Sequence, residues 1–161
     1  MFRDMRHPRK ATSTEEALAV LRKNDYGILA TVNEEGDPRA TAVNYSLLDD
    51  DTLIFHSSKL GEKMDNIRQH PNVSFFVVDS ENINLGEFTA NFLSVSVHGH
   101  AEVIEGDAVY PYLLKFTKAV DSTTTDEMIH DYTYPSRIGK LAIVLIHIDH
   151  ITGKLANHTS R

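Results

Sequence analysis

Alternating apolar and polar positions divide the first part of the chain into one helix and a β-hairpin. Ser13 and Glu16 have the spacing of a capping box, and the apolar residues that follow repeat with helical spacing. Residues 26–32 and 39–48 are rich in β-forming side chains and flank the Gly- and Pro-containing stretch 33–38. The pattern therefore predicts a helix followed by two paired strands.

A third strand, a second helix and a fourth strand are predicted in residues 52–78. The third strand alternates so that Ile54 and His56 share one face. The second helix begins near Leu60, carries Lys63 beside its apolar stripe, and ends before a proline. The apolar run after that proline predicts the fourth strand.

The remainder of the chain contains a long alternating strand, two helices and a final apolar strand. Residues 92–104 alternate throughout, with Gly99 at the position of a bulge or bend. Residues 108–119 and 126–132 predict two helices. The run 141–148 is almost entirely apolar at its start, which is typical of a strand buried on both faces.

Three polar segments lie outside these elements. We expect 1–12 to be an extended arm, 79–90 to be a polar connection that is mobile or contacts a partner, and 150–161 to be a turn-like tail. About six strands with helices in their connections predict a β-rich α+β domain. Short strands separated by turns favour a barrel, whose closure hides the sheet edges.

Length and charge restrict the functional class. The 161 residues are expected to form a single domain, 1–161, with one substantial core. A net charge of −7 argues against a general nucleic-acid binder, and the absence of cysteine excludes disulfides and thiolate chemistry. We expect no membrane span and no secretory signal, so a cytoplasmic location is the default expectation.

The passage from the third strand into the second helix has the chemistry of an anion site. A strand that runs through Ser57 and Ser58 into a helix start leaves backbone N–H groups aimed at one point, with the positive end of the helix dipole behind them. Lys63, one turn inside the helix, adds a positive charge. The alternative is that Ser58 simply caps a surface helix and Lys63 is solvated.

The returning strand of the hairpin carries the small residues Ala40, Thr41 and Ala42. Small side chains would let a flat group lie close to the backbone. The alternative is that they pack under the first helix. Together, the hairpin and the anion site fit a planar cofactor with one phosphate.

Other chemistries are disfavoured. Nine histidines invite a metal site, and His98 and His100 point to the same side of one strand, with His147 and His150 as further candidates. No Asp or Glu completes a known metal-binding spacing, so we expect no metal site. The sequence also lacks GxSxG, GxGxxG and GxxxxGK[ST] motifs, which argues against an α/β-hydrolase, a Rossmann fold and a P-loop NTPase.

The order of these motifs resembles the pyridoxamine 5′-phosphate oxidase-like FMN-binding split-barrel superfamily, close to its 5-nitroimidazole resistance (Nim-type) group. The resemblance rests on residues 26–45, 55–75, 92–104 and 151–154, and FHSSKLGEK followed by HPNVSF is its most specific part. It implies a six-stranded split β-barrel of Greek-key type with flanking helices. It also implies a homodimer with FMN in clefts at the subunit interface.

By this resemblance, the hairpin lines the isoalloxazine ring, the end of the third strand and the second helix hold the phosphate, and the long strand approaches from the dimer interface. The implied cofactor-binding residues are Arg39, Ala40, Thr41, Ala42, Val43, Asn44, His56, Ser57, Ser58, Lys63, Phe92 and Ser94. His56 is the position that best matches a histidine implicated in activity in Nim-type proteins.

The resemblance also implies an oxidoreductase that passes reducing equivalents from NAD(P)H or another donor to a small acceptor, such as a nitro compound, a quinone or a flavin. Two alternatives stay open. One is a flavin- or haem-binding carrier or sensor without turnover, and the other is a deazaflavin-dependent reductase on the same barrel. The tail 151–161 lacks the strongly basic signature expected of a true pyridoxamine phosphate oxidase.

Overall fold

The structure is a computed structural model that describes residues 2, 5–84 and 89–156. Within these residues the chain forms seven strands and four α-helices. The strands are β1 (Tyr26–Val32), β2 (Pro38–Asn44), β3 (Ser46–Asp49), β4 (Thr52–Ser58), β5 (Asn72–Asn84), β6 (Thr89–Ile104) and β7 (Leu141–Ala156). The helices are α1 (Thr14–Lys23), α2 (Glu62–Gln69), α3 (Val109–Val120) and α4 (Asp126–Thr133).

The described strands make one antiparallel sheet in the order β2-β1-β5-β6-β7-β4-β3. Its two edge strands, β2 and β3, are separated in the chain by Tyr45 alone. The sheet must therefore curl until its edges nearly meet. Such a curled antiparallel sheet with flanking helices confirms the β-rich α+β class and is consistent with a split-barrel-like fold.

The predicted single strand 39–48 is two strands, which accounts for seven strands instead of six. Tyr45 is buried, and its hydroxyl donates a hydrogen bond to the carbonyl oxygen of Leu21 at 2.9 Å. Its backbone N–H donates to the carbonyl oxygen of Asp25, also at 2.9 Å. These bonds hold the chain at the bend, so β2 pairs with β1 whereas β3 pairs with β4. The alternation pattern alone carries no sign of this change of partner.

Two apolar clusters lie on opposite faces of β4. Phe55 belongs to the main cluster, which fills the inside of the curled sheet and includes residues of α1 and α2. Ile54 belongs to a second cluster with Leu113 and Phe116 of α3 and Ile129 of α4. The sheet therefore buries β4 on both faces, and α3 and α4 cover its outer side.

Two polar segments are strands, contrary to the sequence-based expectation. The polar connection expected at 79–90 is mostly the β5–β6 hairpin, in which β5 runs to Asn84 and β6 begins at Thr89; residues 85–88 lie outside the described residues. The expected tail forms the second half of β7 as far as Ala156, where it pairs with β6; residues 157–161 lie outside the described residues. Backbone pairing along a long neighbouring strand does not depend on apolar side chains, so the polar composition misled both predictions.

The N-terminal region is confirmed in one part and corrected in another. Ser13 and Glu16 form the predicted capping box, with the Glu16 amide donating to the Ser13 hydroxyl at 3.1 Å. The arm is not wholly extended, since Pro8–Lys10 form a 3₁₀ turn, and Ala11 bridges to Lys154 of β7. No helix in the described residues is long and apolar enough to cross a membrane.

Candidate functional site

A cavity of about 800 Å³ lies between the end of β4, the start of α2 and the helices α3 and α4. This volume is in the range of small-molecule and cofactor sites. The cavity is lined by His56, Ser57, Ser58, Lys63, Leu113, Phe116, Thr117, Val120, Asp121, Thr124, Met128, Ile129, Tyr132, Thr133, Arg137, Lys140 and Leu141. Four of the residues expected to bind a cofactor are thus brought together, and a wall from α3 and α4 faces them.

The register of β4 sets the direction of its last three side chains. Ser57 and Ser58 pair with Ala142 and Leu141 at the start of β7, so this end of the strand is fixed. His56 points to the same face as Ile54, as predicted, and its ring lies 5.3 Å from that of Phe116, centroid to centroid. His56 therefore stands where the outer apolar cluster opens into the cavity.

The start of α2 is free of side-chain caps. The N-cap residue is Gly61, whose φ of +117° is in the region that favours glycine, and the cap has no side-chain hydrogen bond. Ser58 instead accepts a hydrogen bond from the Leu60 amide at 3.2 Å, and Leu60 lies outside the helix. The alternative in which Ser58 caps the helix is therefore wrong, and the first amides of α2 keep the potential to bind an anion.

Lys63 is half-buried rather than solvated. Its ammonium nitrogen lies 5.4 Å from the centroid of the Phe55 ring, and within the described residues it has no carboxylate partner. Burial lowers the pKa of Lys63. Desolvation within the cavity walls, and secondly the positive charge of Lys63, lower the pKa of His56. His56 is therefore neutral in neutral solution.

The cavity is positively charged although the chain as a whole is acidic. Three basic side chains, Lys63, Arg137 and Lys140, line it together with one carboxylate, that of Asp121. Hydrogen bonds from the Thr123 hydroxyl and amide hold the pKa of Asp121 below its usual range, so this carboxylate stays ionised. The excess of cations makes the cavity suited to an anionic ligand.

One hairpin residue, Arg39, contacts α2 at this site, but none of the residues 39–44 lines the cavity. The Arg39 guanidinium pairs with Glu62, the first residue of α2, at 2.6 Å. Ala40, Thr41 and Ala42 are exposed on β2, so they do not pack under α1. The last two residues of β2 point elsewhere. Val43 is buried in the main cluster, and the side-chain amide of Asn44 donates to the carbonyl oxygen of Asp25 at 2.7 Å.

Phe92 and Ser94 lie far from the cavity within one chain. Both are near the start of β6, where Phe92 pairs with Ala156, whereas the other end of β6 pairs with Ile143, next to the cavity end of β7. Twelve residues of strand separate Phe92 from Ile104, a path of roughly 40 Å. These two residues therefore meet the other candidates only if a second chain supplies them.

The histidines of β6 and β7 form pairs at a different place. His98 pairs with His150 and His100 with His147. The irregularity predicted at Gly99 is confirmed by a register shift between His98 and Gly99, and the extra residue of the bulge, Asp149, belongs to β7. Nδ1 of His100 lies 3.2 Å from Asp149, and Nε2 of His147 lies 3.0 Å from Glu102. In the described part of the chain, no three such side chains are arranged to hold a metal ion.

The sequence analysis missed the second wall of the cavity. Its main members are Phe116 and Thr117 of α3, Tyr132 of α4, and Arg137 and Lys140 beyond α4. The two helices were predicted, but not the surface that they cover. The signal was the apolar Ile54 on the same face as His56, which required a covering element on that side of β4.

Comparison with known proteins agrees with this fold. The family model for pyridoxamine 5′-phosphate oxidase matches residues 13–153. No curated protein sequence matches the chain.

Solved structures with the same fold include three that are informative. A candidate 5-nitroimidazole antibiotic resistance protein from Bacteroides thetaiotaomicron is 17% identical, with a TM-score of 0.69 over 89% of this chain and 85% of that one. The FAD and heme binding protein of Mycobacterium smegmatis is 20% identical, with a TM-score of 0.78 over 92% of this chain and 74% of that one. A FAD-binding protein of Mesorhizobium loti is 24% identical, with a TM-score of 0.64 over 92% of this chain and 97% of that one.

At these identities the solved structures establish the fold, whereas the family model covers almost the whole of the chain. The resemblance found from the sequence is thereby confirmed, and the chain belongs to the pyridoxamine 5′-phosphate oxidase family.

Proposed function

We propose that this protein is an FMN-binding oxidoreductase that passes reducing equivalents from NAD(P)H or another donor to a small acceptor such as a nitro compound, a quinone or a flavin. The observation that carries the proposal is the uncapped start of α2 beside Lys63, a half-buried cation without a carboxylate partner in the described residues, at a cavity of about 800 Å³. Family membership supports it.

The residues at the cavity fit the phosphate end of such a cofactor. The hydroxyls of Ser57 and Ser58, the Lys63 ammonium and the first amides of α2 supply donors and positive charge, which are what a phosphate requires. The exposed backbone of Ala40 to Ala42 would receive the ring, and Arg39, Val43 and Asn44 complete the hairpin side. When bound, the isoalloxazine supplies the hydride and electron chemistry.

The chain's own contribution to that chemistry centres on His56. Its imidazole is neutral in neutral solution because its pKa is lowered, so one ring nitrogen can accept and the other can donate a hydrogen bond. At the cavity wall, such a group can orient an acceptor or carry a proton to it. We therefore assign His56 the catalytic role in this proposal.

A homodimer is part of the proposal. The outer face, defined as Tyr26, Ile28, Val32, Phe76 and Val78, leaves large apolar side chains exposed on β1 and β5. Ile28 and Phe76 are cross-strand partners, so the face is continuous there. A second copy on this face would cover it and would bring Phe92 and Ser94 towards the other chain's cofactor. We also expect a cytoplasmic location.

The test is the visible spectrum of the purified protein, followed by mass analysis of whatever denaturation releases. We expect yellow protein that releases FMN. The double substitution Ser57→Ala and Lys63→Gln should abolish retention, whereas Lys59→Gln, which changes a lysine outside the cavity lining, should not. Colourless protein that takes up no added FMN would refute the proposal.

A carrier or sensor without turnover is the second candidate, and the fold likeness to a FAD and heme binding protein favours testing it. Rapid-mixing measurement of flavin reduction by NAD(P)H separates the two functions, since a carrier should show no reduction on the timescale of turnover. The same mass analysis distinguishes FMN from FAD, haem or a deazaflavin.

A further inference from the structure

The α3–α4 wall of the cavity has features that phosphate binding does not explain. Two large side chains that line it, Met128 and Tyr132 of α4, are 59% and 62% exposed. Val120 of α3 lines the same wall and is also exposed. Exposed apolar side chains that converge on one cavity indicate a surface for an apolar or aromatic group.

Arg137, just beyond α4, is held in a fixed orientation at this wall. Its guanidinium carbon lies 4.2 Å from the centroid of the Tyr132 ring, and its Nη1 donates to the Tyr132 hydroxyl at 2.9 Å. No carboxylate of the described residues lies within ion-pair distance of it. The planar guanidinium therefore retains N–H donors for another anion.

A guanidinium that is already oriented on an aromatic ring loses little side-chain freedom when it binds a carboxylate in bidentate fashion. The Tyr132 ring lies against that guanidinium, and Met128 and Val120 add exposed apolar surface to the same cavity wall. The site therefore combines one oriented cation with aromatic surface, at a distance along the chain from Ser57 and Lys63, which serve the phosphate.

We propose that Arg137 and Tyr132 form a binding site for a planar aromatic molecule that carries a carboxylate. Arg137 binds the carboxylate, Tyr132 positions Arg137, and the apolar wall receives the ring. This inference rests on the proposed function, since the molecule it describes shares the cavity with the phosphate end of the bound flavin.

The test uses two ligands of the same shape that accept no electrons from flavin, 2-naphthoate and the neutral 2-naphthamide. Their binding to the flavin-loaded protein is measured by calorimetry. We expect 2-naphthoate to bind about tenfold more tightly or better, because a hydrogen-bonded ion pair replaces a neutral contact. Arg137→Gln should remove that preference and leave 2-naphthamide binding unchanged.

Two further variants sharpen the test. Tyr132→Phe keeps the ring but removes the hydroxyl that holds Arg137, so it should reduce the preference for 2-naphthoate only in part. Lys115→Gln is the matched control, because Lys115 also lies over a tyrosine ring, at 5.5 Å from Tyr112, but does not line the cavity. It should leave both affinities unchanged.

Equal binding of the two ligands, no binding of either, or an equal loss of both in Arg137→Gln would overturn the inference. Flavin content is measured on every sample. Loaded protein without ligand preference overturns the Arg137 inference alone, whereas protein that binds no flavin overturns the proposed function.

Discussion

The ring of His56 illustrates how the surroundings of one residue set its chemistry. Atoms of the cavity walls desolvate the ring, the Lys63 charge adds to the effect, and both favour the neutral imidazole. The position of His56 was predictable, since alternation in β4 placed it beside Ile54. Its lowered pKa was not, because Phe116 and Lys63 reach it only through the packing of α3 and α2.

The lowered pKa of His56 predicts a pH dependence of stability. The unfolded chain, with an ordinary histidine near 6.5, binds a proton more readily than the folded chain. The free energy of unfolding should therefore fall as the pH decreases from 6.5 towards the folded-state pKa, and the contribution of His56 should be fully present above 6.5. The substitution His56→Gln should remove the part of the stability loss at low pH that His56 causes.

The measurement is urea unfolding of the wild type and His56→Gln at about pH 5 and about pH 8. The stability of the wild type relative to the variant should be greater at the higher pH. A difference that is the same at both pH values would contradict the desolvation of His56.

At the scale of single elements, α4 depends on its cap. It has eight residues, too few for a stable isolated helix, and its N-cap Thr125 accepts a hydrogen bond from the Met128 amide at 3.2 Å. Thr125→Ala should cost about 1 kcal/mol and increase hydrogen exchange in α4. Thr125→Ser, which keeps the hydroxyl, should behave nearly as the wild type; equal exchange in both variants would show that the cap is dispensable.

The bulge at Gly99 makes a second prediction at this scale. A Cβ at this position would lie 2.2 Å from the backbone carbonyl oxygen of His147, which belongs to the paired strand and cannot move freely. Gly99→Ala should therefore destabilise the protein by about 1–3 kcal/mol in urea unfolding. Gly139→Ala is the control, since a Cβ there meets nothing within 4 Å, and it should be neutral or slightly stabilising.

These elements also mark what the sequence could predict. Caps, turns and alternation are local, so α1, the β1–β2 hairpin and the bulge at Gly99 were recognisable. The division of 39–48 into β2 and β3 was not, because it depends on Tyr45 bonding to Leu21 and Asp25 across the fold. The extension of β5, β6 and β7 through polar residues could not be predicted either. It depends on backbone pairing with a neighbouring strand that is distant in sequence.

At the scale of the whole molecule, only the part of the site that is local in sequence could be predicted. The β4–α2 side of the cavity was predictable because His56, Ser57, Ser58 and Lys63 are close in sequence. The wall that carries Tyr132 and Arg137 comes from a segment far along the chain and meets the site only in the folded protein. Conversely, the resemblance assigned Phe92 and Ser94 to the site. Within one chain, both lie at the end of β6 that is farther from the cavity.

If Phe92 and Ser94 contact the cofactor, as the resemblance implies, the proposed dimer is required for a complete cofactor site. Ile28 and Phe76 are each 41% exposed and face each other across β1 and β5, so a charge there would disfavour any partner on the outer face. Phe76→Glu should convert a dimer into a monomer in sedimentation velocity, and the monomer should release its flavin. Gln69→Glu places the same charge on an exposed residue of α2 outside both the outer face and the cavity lining, so the dimer and its flavin should persist. A monomeric Phe76→Glu protein that retains flavin as well as the wild type would show that one chain completes the site, and the roles of Phe92 and Ser94 would then be lost.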